Sequence, residues 1–340
     1  MRKSLLLYIS LVLVVMVSGA LTSSTGSPET SVNAAHAHPT LANLQSCDAS
    51  SQRKILLNLQ DSEAQFINGL QANDLKITED GALRNIVRLE TETNVPLSAV
   101  ILIDNSATQY FTFSQAKLGA QKFVEWNLKN KGDRAALVSF ALEATVEEDL
   151  TSEWGKLLST ISQLKLEPSQ DYPPGPITVG RTPPIRPTRQ GATAISDAVW
   201  ASTDGILKSV TNARRVILLL TDGQDWTSIT SLSEAIAYAG SNEVAVFAID
   251  MKTEGYTIAG RTALTALAED TGGRSFGLRK IQNLPEVLQK IDRQVRSHYA
   301  LTYCTADQLT RKQPAKLEIE IKNPQLRNSV KRFAYPRFVL

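Results

Sequence analysis

Three short side chains that carry oxygen atoms follow an apolar run near position 100 of the chain. The apolar residues 99–103 lead into Asp104, Ser106 and Thr108, which stand at every second position. These side chains hold their oxygens close to the backbone, and Mg²⁺ prefers an octahedral set of oxygen ligands. The pattern therefore predicts a hard-cation site at the carboxyl end of a buried strand. The same residues are also ordinary turn chemistry after a strand, so the pattern alone does not decide between the two.

The elements that would position these residues alternate between short apolar runs and amphipathic helical patterns. Apolar runs separated by helices predict a mainly parallel sheet buried on both faces. Right-handed crossovers then give a doubly wound three-layer α/β/α sandwich. Ligands of such sheets bind at the carboxyl ends of strands, where the connections switch direction. Asp104 follows one such end, and Asp222 follows another.

The two flanks of this α/β region have a different pattern, in which apolar and polar residues alternate. Residues 317–322 alternate cleanly, as a strand with one solvated face should. We expect the flanks 47–95 and 298–340 to pair into one small antiparallel β domain, with the α/β domain spanning residues 96–297 between them.

The amino terminus has the composition of a secretory signal peptide over residues 1–20. Arg2 and Lys3 precede an apolar run at 5–17, and Ser18-Gly19-Ala20 supplies small residues for cleavage. The alternative is an uncleaved membrane anchor, which would be the only tether to a membrane. Residues 21–46 are polar and without period, which predicts a disordered spacer. Either way we expect a secreted, periplasmic or cell-envelope protein.

The chain has only two cysteines, Cys47 and Cys304, which flank nearly the whole predicted folded region. In an exported protein such a pair suggests a disulfide bond. A bridge closing so long a loop would contribute about 4–5 kcal/mol in the chain-entropy model. The alternative is two buried free thiols.

Composition and missing motifs argue against several function classes. The 340 residues carry 36 Lys and Arg against 34 Asp and Glu, and no long basic block that would indicate nucleic-acid binding. There is no Gly-x-Ser-x-Gly, no P-loop and no glycine-rich turn after the first α/β strand. His298 falls at the end of the predicted closing helix, remote from the strand carboxyl ends. The chain is therefore predicted not to be an enzyme and to have no small-molecule substrate.

Three segments in this order resemble the von Willebrand factor type A domain and its metal-ion-dependent adhesion site. They are Asp104-x-Ser106-x-Thr108, the stretch Gly191-Ala192-Thr193-Ala194-Ile195-Ser196-Asp197-Ala198, and Leu219-Leu220-Thr221-Asp222-Gly223. Segments 131–140 and 267–276 agree with the family's second strand and late helix-to-strand turn. The resemblance covers residues 96–297. The flanks look more loosely like those of an exported, acidobacterial group of related proteins.

The resemblance implies a role for each residue of a five-residue metal site. Ser106 and Thr108 would bind Mg²⁺ (or Mn²⁺ or Ca²⁺) directly, and Thr193 would do so when a ligand is engaged. Asp104 and Asp222 would bind through water, or one of them directly in the unliganded site. An Asp or Glu of a protein partner would then fill the open position, which implies cation-dependent protein binding or adhesion.

The chain departs from the family at two positions, Ala107 and Thr108, where Gly and Ser are usual. These departures leave open an alternative function, a structural or scaffolding envelope protein with a vestigial metal site. Of the neighbouring carboxylates, we expect Asp225 to cap a helix and Asp197 to orient hydroxyls or backbone. The proline-rich residues 168–187, just before Thr193, are the candidate surface for partner specificity.

Overall fold

The computed structural model describes residues 47–167, 193–223, 225–251, 258–278, 281–305 and 313–340. The expected signal peptide, the spacer and the proline-rich segment lie outside these residues. Within the described ranges, no helix has the length and apolar character needed to cross a membrane.

Strands and helices of the described residues alternate through the middle of the chain, and strands dominate both flanks. The strands are β1 Gln52–Gln60, β2 Leu75–Glu79, β3 Ala82–Arg84, β4 Ile86–Thr93, β5 Leu97–Asp104, β6 Arg134–Phe140, β7 Ala144–Thr151, β8 Arg214–Thr221, β9 Val244–Asp250, β10 Arg274–Gly277, β11 Ser297–Cys304, β12 Ala315–Ile321, β13 Arg332–Ala334 and β14 Phe338–Val339. The α-helices are α1 Phe113–Asn127, α2 Trp154–Gln163, α3 Ile195–Ser202, α4 Leu232–Ser241, α5 Ile258–Asp270, α6 Leu284–Arg296 and α7 Pro324–Ser329.

The central sheet has six strands in the order β10-β9-β8-β5-β6-β7, all parallel except β7. Strand β7 is not predicted from the sequence. This strand lies at the sheet edge and carries three consecutive acidic residues, Glu147, Glu148 and Asp149. An edge strand with solvated side chains lacks the apolar run that marks a central strand, so its sequence does not resemble one.

The helices cover both faces of this sheet, because side chains of each buried strand point alternately to opposite faces. In β5, Leu97, Ala99, Ile101 and Ile103 pack with α1, α2 and α6. Val100 and Leu102 pack on the opposite face with α3, α4 and α5. The predicted three-layer, mainly parallel α/β/α sandwich is therefore confirmed.

Strands of the first flank pair with strands of the second, although the two flanks lie at opposite ends of the described sequence. They form two four-stranded antiparallel sheets, in the orders β13-β1-β11-β4 and β14-β12-β2-β3. Apolar side chains from both sheets form a third core, which includes Leu57, Ile77, Tyr299 and Leu317. The antiparallel part built from both flanks is confirmed, and a disulfide joins Cys47 to Cys304.

An ion pair between Asp133 and Arg296 lies at the amino end of the central sheet. The buried Asp133 carboxylate accepts hydrogen bonds from Arg296 at 2.8 and 2.9 Å. It also accepts from the backbone N–H groups of Leu97, Lys129 and Asn130. Burial alone would raise the pKa of Asp133, but the Arg296 guanidinium and these amides outweigh it and hold the pKa below its usual range.

His298 is the second residue of β11 and lies at the junction of the central sheet with the flanking strands. Its Nε2 lies 2.7 Å from Oε2 of Glu92 on β4. Burial lowers the pKa of His298, and the charge of Arg214 at the start of β8 adds to that effect.

Candidate metal centre

The carboxyl ends of β5 and β8 lie side by side at the switch point of the central sheet. Ile103 pairs with Leu220, which places the next residues, Asp104 and Thr221, beside each other. The chain leaves β5 toward β6 on one side, while β8 lies on the other. Loops at such a switch point leave a crevice between them, which is where doubly wound folds bind ligands.

Asp104 is fully buried and is held by three hydrogen bonds. Its Oδ2 accepts from the hydroxyl of Thr221 at 2.7 Å and from Nε2 of Gln109 at 3.1 Å. Its Oδ1 accepts from the backbone N–H of Ser106 at 3.0 Å. The carboxylate is therefore fixed in orientation, with Oδ1 the less occupied oxygen.

Burial raises the pKa of Asp104 to about 6 from an ordinary value of 3.8. Hydrogen bonds from Thr221 and Ser106 act in the lowering direction, while the negative charge of Asp222 raises the pKa further. No basic side chain of the described residues stabilises the Asp104 carboxylate. Asp104 therefore has no counter-ion among the described residues.

Three hydroxyl groups from two distant segments meet next to Asp104. The Oγ of Ser106 lies 2.9 Å from Oγ1 of Thr108, and the hydroxyl of Thr193 donates to Ser106 Oγ at 3.2 Å. Ser106 and Thr193 are buried, whereas Thr108 is exposed. The cluster therefore has an open side at Thr108.

Thr193 reaches the cluster because its backbone is tied to two neighbouring loops. Its carbonyl accepts the backbone N–H of Trp226 at 2.9 Å, and the next residue, Ala194, donates to the carbonyl of Ala141 at 2.8 Å. Helix α3 begins directly afterwards at Ile195. The start of α3 thus carries the third hydroxyl to the carboxyl end of β5.

Asp222 follows the last residue of β8 and is buried, with 8% of its surface exposed. The next residue, Gly223, has a φ of +78°, which turns the chain sharply in a region that favours glycine. Its N–H donates to the Thr221 hydroxyl at 3.1 Å. Asp222 is close enough for its charge to raise the pKa of Asp104.

The two neighbouring carboxylates serve the local backbone. Asp225 Oδ2 accepts from the N–H and hydroxyl of Ser196, so it caps the first turn of α3 from another segment, as expected. Asp197 accepts the backbone N–H groups of Ile229 and Thr230 at 2.9 and 2.7 Å. Burial opposes ionisation of Asp197, but these bonds outweigh it and hold its pKa below the usual range. The expectation that Asp197 orients backbone is confirmed.

Two residues at the centre were missed by sequence reasoning, Gln109 and Thr221. Both are completely buried and both donate to Asp104. Thr221 had a visible signal, because it is a hydroxyl next to Asp222 at the end of an apolar run. Gln109 had none, since nothing in a polar residue five positions after Asp104 marks it as buried.

The donor set suits a hard cation. At Mg²⁺–oxygen distances of 2.0–2.1 Å, adjacent ligands of an octahedron lie about 2.9 Å apart. The observed oxygen separations of 2.9 and 3.2 Å are near that value. No group of three or more His, Cys, Asp or Glu that could hold a metal occurs in the described part of the chain. A cation here would therefore depend on hydroxyl oxygens together with Asp104 and Asp222.

Comparison with known proteins gives one family and several structural neighbours. The family model of the von Willebrand factor type A domain matches residues 99–224. None of the curated proteins compared with the chain matches it.

The structural neighbours are distant in sequence. Proximal thread matrix protein 1 from the mussel byssus, with a zinc-occupied MIDAS motif, is 15% identical with a TM-score of 0.45, covering 62% of this chain and 49% of that one. This chain thus spans about half the length of the mussel protein. An aerotolerance-related membrane protein from Bacteroides fragilis is 15% identical with a TM-score of 0.43, covering 58% and 98%. A von Willebrand factor type A protein from Catenulispora acidiphila is 14% identical with a TM-score of 0.45, covering 79% and 75%.

The family match begins inside β5 and ends just after Asp222, so it spans all three segments of the centre. It covers strands β5 to β8 of the central sheet and ends before β9 and β10. Residues 99–224 of this chain are therefore similar to the von Willebrand factor type A domain.

Proposed function

We propose that Asp104, Ser106, Thr108, Thr193 and Asp222 hold a divalent cation, Mg²⁺ or in its place Mn²⁺ or Ca²⁺. We further propose that the protein uses this cation to bind an Asp or Glu of a protein partner. The observation that carries the proposal is the meeting of three hydroxyl oxygens within 3.2 Å beside a buried carboxylate. Domains of this family typically mediate protein–protein interactions, which supports the second part.

The chain's own residues favour an anchor for a foreign carboxylate. Ser106, Thr108 and Thr193 contribute neutral oxygens, so they leave a cation's charge largely uncompensated. Gln109 and Thr221 hold Asp104 in one orientation by occupying its Oδ2. The exposed side of the cluster at Thr108 is where an incoming carboxylate would enter. A bound cation would supply the Lewis-acid attraction for that group.

We also propose that the protein is exported and that it has the domains expected from the sequence. The Cys47–Cys304 disulfide supports a location outside the cytoplasm, because such bonds persist in oxidising compartments. We propose a secreted, periplasmic or cell-envelope protein whose signal peptide (1–20) is removed. Its adhesion domain (96–297) lies between flanks 47–95 and 298–340 that complete one β domain. Mass spectrometry of the amino terminus of the exported protein tests this; a chain that retains residues 1–20 would contradict it.

Mg²⁺ binding to the metal-free protein tests the metal site. A ligand that binds only the folded state raises the free energy of unfolding by about 2.7 kcal/mol at 100 times its Kd. We expect Mg²⁺ to raise the melting temperature, a chelator to reverse the rise, and Thr193→Ala and Asp104→Ala to abolish it. Ser98→Ala is the matched control, because Ser98 is a buried residue at the opposite end of the same strand. Ser98→Ala should keep the full response.

A structural role with a vestigial site is the second candidate function. It is favoured by the hydrogen bonds among Ser106, Thr108 and Thr193, which satisfy these hydroxyls without an ion. Ala107 and Thr108, which replace the usual Gly and Ser, point the same way. Calorimetry that detects neither Mg²⁺ nor Mn²⁺ binding would select this candidate over the adhesion site.

A further inference from the structure

Large apolar side chains are exposed on the three loops that carry or contact the hydroxyl cluster. Four of them are the most exposed large hydrophobic residues in the described part of the chain: Ile229 at 96%, Phe111 at 81%, Tyr110 at 72% and Trp226 at 68%. The fifth residue of the group is Leu142, on the loop after β6, which is 39% exposed. We call these five residues the apolar rim.

The loop that carries Trp226 and Ile229 is held firmly in place. Its backbone donates to the Thr193 carbonyl and to Asp197, and Ser228 donates to Asp225 through both its N–H and its hydroxyl. A loop with this many hydrogen bonds has already lost its conformational entropy before any partner binds. It therefore displays its two apolar side chains in a fixed position, which lowers the cost of association.

The loop after Thr108 is fixed in a similar way. Gln109 is buried, and it accepts a hydrogen bond from the hydroxyl of Thr112 at 2.7 Å while donating to Asp104. The rings of Tyr110 and Phe111 meet edge to face, with centroids 5.1 Å apart. The two aromatic rings thus form one apolar surface directly after the metal-binding motif.

Apolar side chains held at the surface next to a binding site indicate an interface. Single exposed hydrophobic residues are common on proteins and need no explanation. Exposed Trp, Tyr and Phe on loops that all carry or contact the hydroxyl cluster are different, because aromatic residues dominate the binding energy of protein interfaces. The rim is therefore a contact surface that adjoins the proposed metal site.

The charged residues of the same loops indicate which charges a partner can carry. Residues 105–112, 141–143 and 225–231 contain no Lys or Arg, and their acidic residues are Glu143 and Asp225. Without basic side chains, these loops have no electrostatic attraction for anionic lipid headgroups. Their negative charges also repel a run of acidic residues.

We propose that the partner presents a single Asp or Glu flanked by aromatic or aliphatic side chains, which the apolar rim contacts while the cation takes the carboxylate. The proposal rests on the metal site proposed above and adds the chemistry of the flanking residues. We expect a single carboxylate to bind better than an acidic run, because these three loops carry no Lys or Arg.

A groove beside the rim gives room for the partner segment to continue. It has a volume of about 780 Å³ and is lined by Ile229, Trp200, Tyr238 and Phe338, among others. Trp200 and Tyr238 stack with ring centroids 5.1 Å apart. Ile229 belongs to both the rim and the groove.

Selection from a random peptide library on the full chain tests the proposal. In Mg²⁺ we expect enrichment of single acidic residues with apolar neighbours, and depletion of acidic runs. The enriched peptide then serves as the probe in titrations with Phe111→Ser/Ile229→Ser, which should weaken its binding by more than about tenfold. The matched control is Leu83→Ser/Val87→Ser, which removes exposed apolar residues of the flanking strands β3 and β4 and should bind as the unaltered protein does.

The outcomes separate this proposal from the metal site. If Mg²⁺ raises the melting temperature but the rim variant binds the peptide normally, or if acidic runs are enriched, the rim proposal is wrong and the metal site stands. If Mg²⁺ has no effect on melting or on peptide capture, the carboxylate part of both proposals is wrong. The last measurement is binding to vesicles of phosphatidylcholine with phosphatidylglycerol. If the unaltered protein binds these vesicles and Phe111→Ser/Ile229→Ser does not, the rim contacts a membrane and the proposal of a protein partner is wrong.

Discussion

Two buried aspartates at opposite ends of the central sheet have opposite electrostatic environments. Asp133, at the amino end, is paired with Arg296 and its pKa is lowered. Asp104, at the carboxyl end, has three hydrogen bonds but no basic partner among the described residues, and burial raises its pKa to about 6. The first carboxylate is fully compensated by the protein, whereas the second is not.

The presence of a counter-ion at Asp133 and its absence at Asp104 indicate different purposes for the two carboxylates. A buried carboxylate without a counter-ion destabilises the folded state. Asp133 shows that the fold can supply a counter-ion where the charge has a structural purpose. The deficit at Asp104 is what a site for an external cation would require.

The largest expected effect comes from removing the compensated carboxylate. Asp133→Ala leaves Arg296 mostly buried without its main partner, which should lower the free energy of unfolding by about 3–5 kcal/mol. Denaturant titration measures this. Asp292→Ala is the matched control, because Asp292 contacts the same arginine at 3.3 Å from a more exposed position and should cost less than about 1 kcal/mol. Equal losses in the two variants would contradict the comparison.

A smaller, pH-dependent effect is expected at Asp104. Its pKa is raised on folding, so the stability it contributes is complete below 3.8 and is lost as the pH rises through about 6. The loss amounts to about 3 kcal/mol above that range. In chelator, the stability of Asp104→Asn relative to the unaltered protein should therefore rise by about 3 kcal/mol between pH 4 and pH 8. A difference that does not vary with pH would show that Asp104 is compensated after all.

The smallest effect is expected at the amino end of the same strand. Ser98 is buried, and its hydroxyl forms no hydrogen bond within the described part of the chain. Ser98→Ala should raise the free energy of unfolding by about 1 kcal/mol, because it removes an unsatisfied polar group. Thermal melting measures the change. A loss of stability would show that the Ser98 hydroxyl forms a stabilising hydrogen bond.

The central sheet could be predicted from the sequence because its strands are buried on both faces. The run from Val216 to Leu220 has no polar residue, and a segment with that composition fits only a buried strand or helix. The edge strand β7 could not be predicted in this way, since most of its side chains, including Glu147 and Asp149, are exposed and it has no apolar run. The division of the flanking strands into two sheets was also beyond sequence reasoning, because pairing between residues far apart leaves no local pattern.

The candidate site was predictable in part for a similar reason. Ser106, Thr108 and Thr193 follow strand or loop signals in a recognisable order, and the structure brings their hydroxyls together. The metal-binding roles of all five residues remain predictions. Gln109 could not be found from sequence, because its importance comes from burial against Asp104 and not from its type. The apolar rim could not be found either, since exposure is a property of the folded chain.

The pairing of the two flanks has a consequence for the order of folding. Cys47 and Cys304 are separated by 257 positions, and β1 pairs with β11 over a similar distance. Closing a loop of that length is entropically costly until the residues between have folded. The Arg296 side chain reaches the Val95 carbonyl and Asp133, which brings the two ends of the central sheet region together. We therefore expect the α/β region to fold first, and β1, with its buried Ile55, Leu57 and Leu59, to pair with β11 only afterwards.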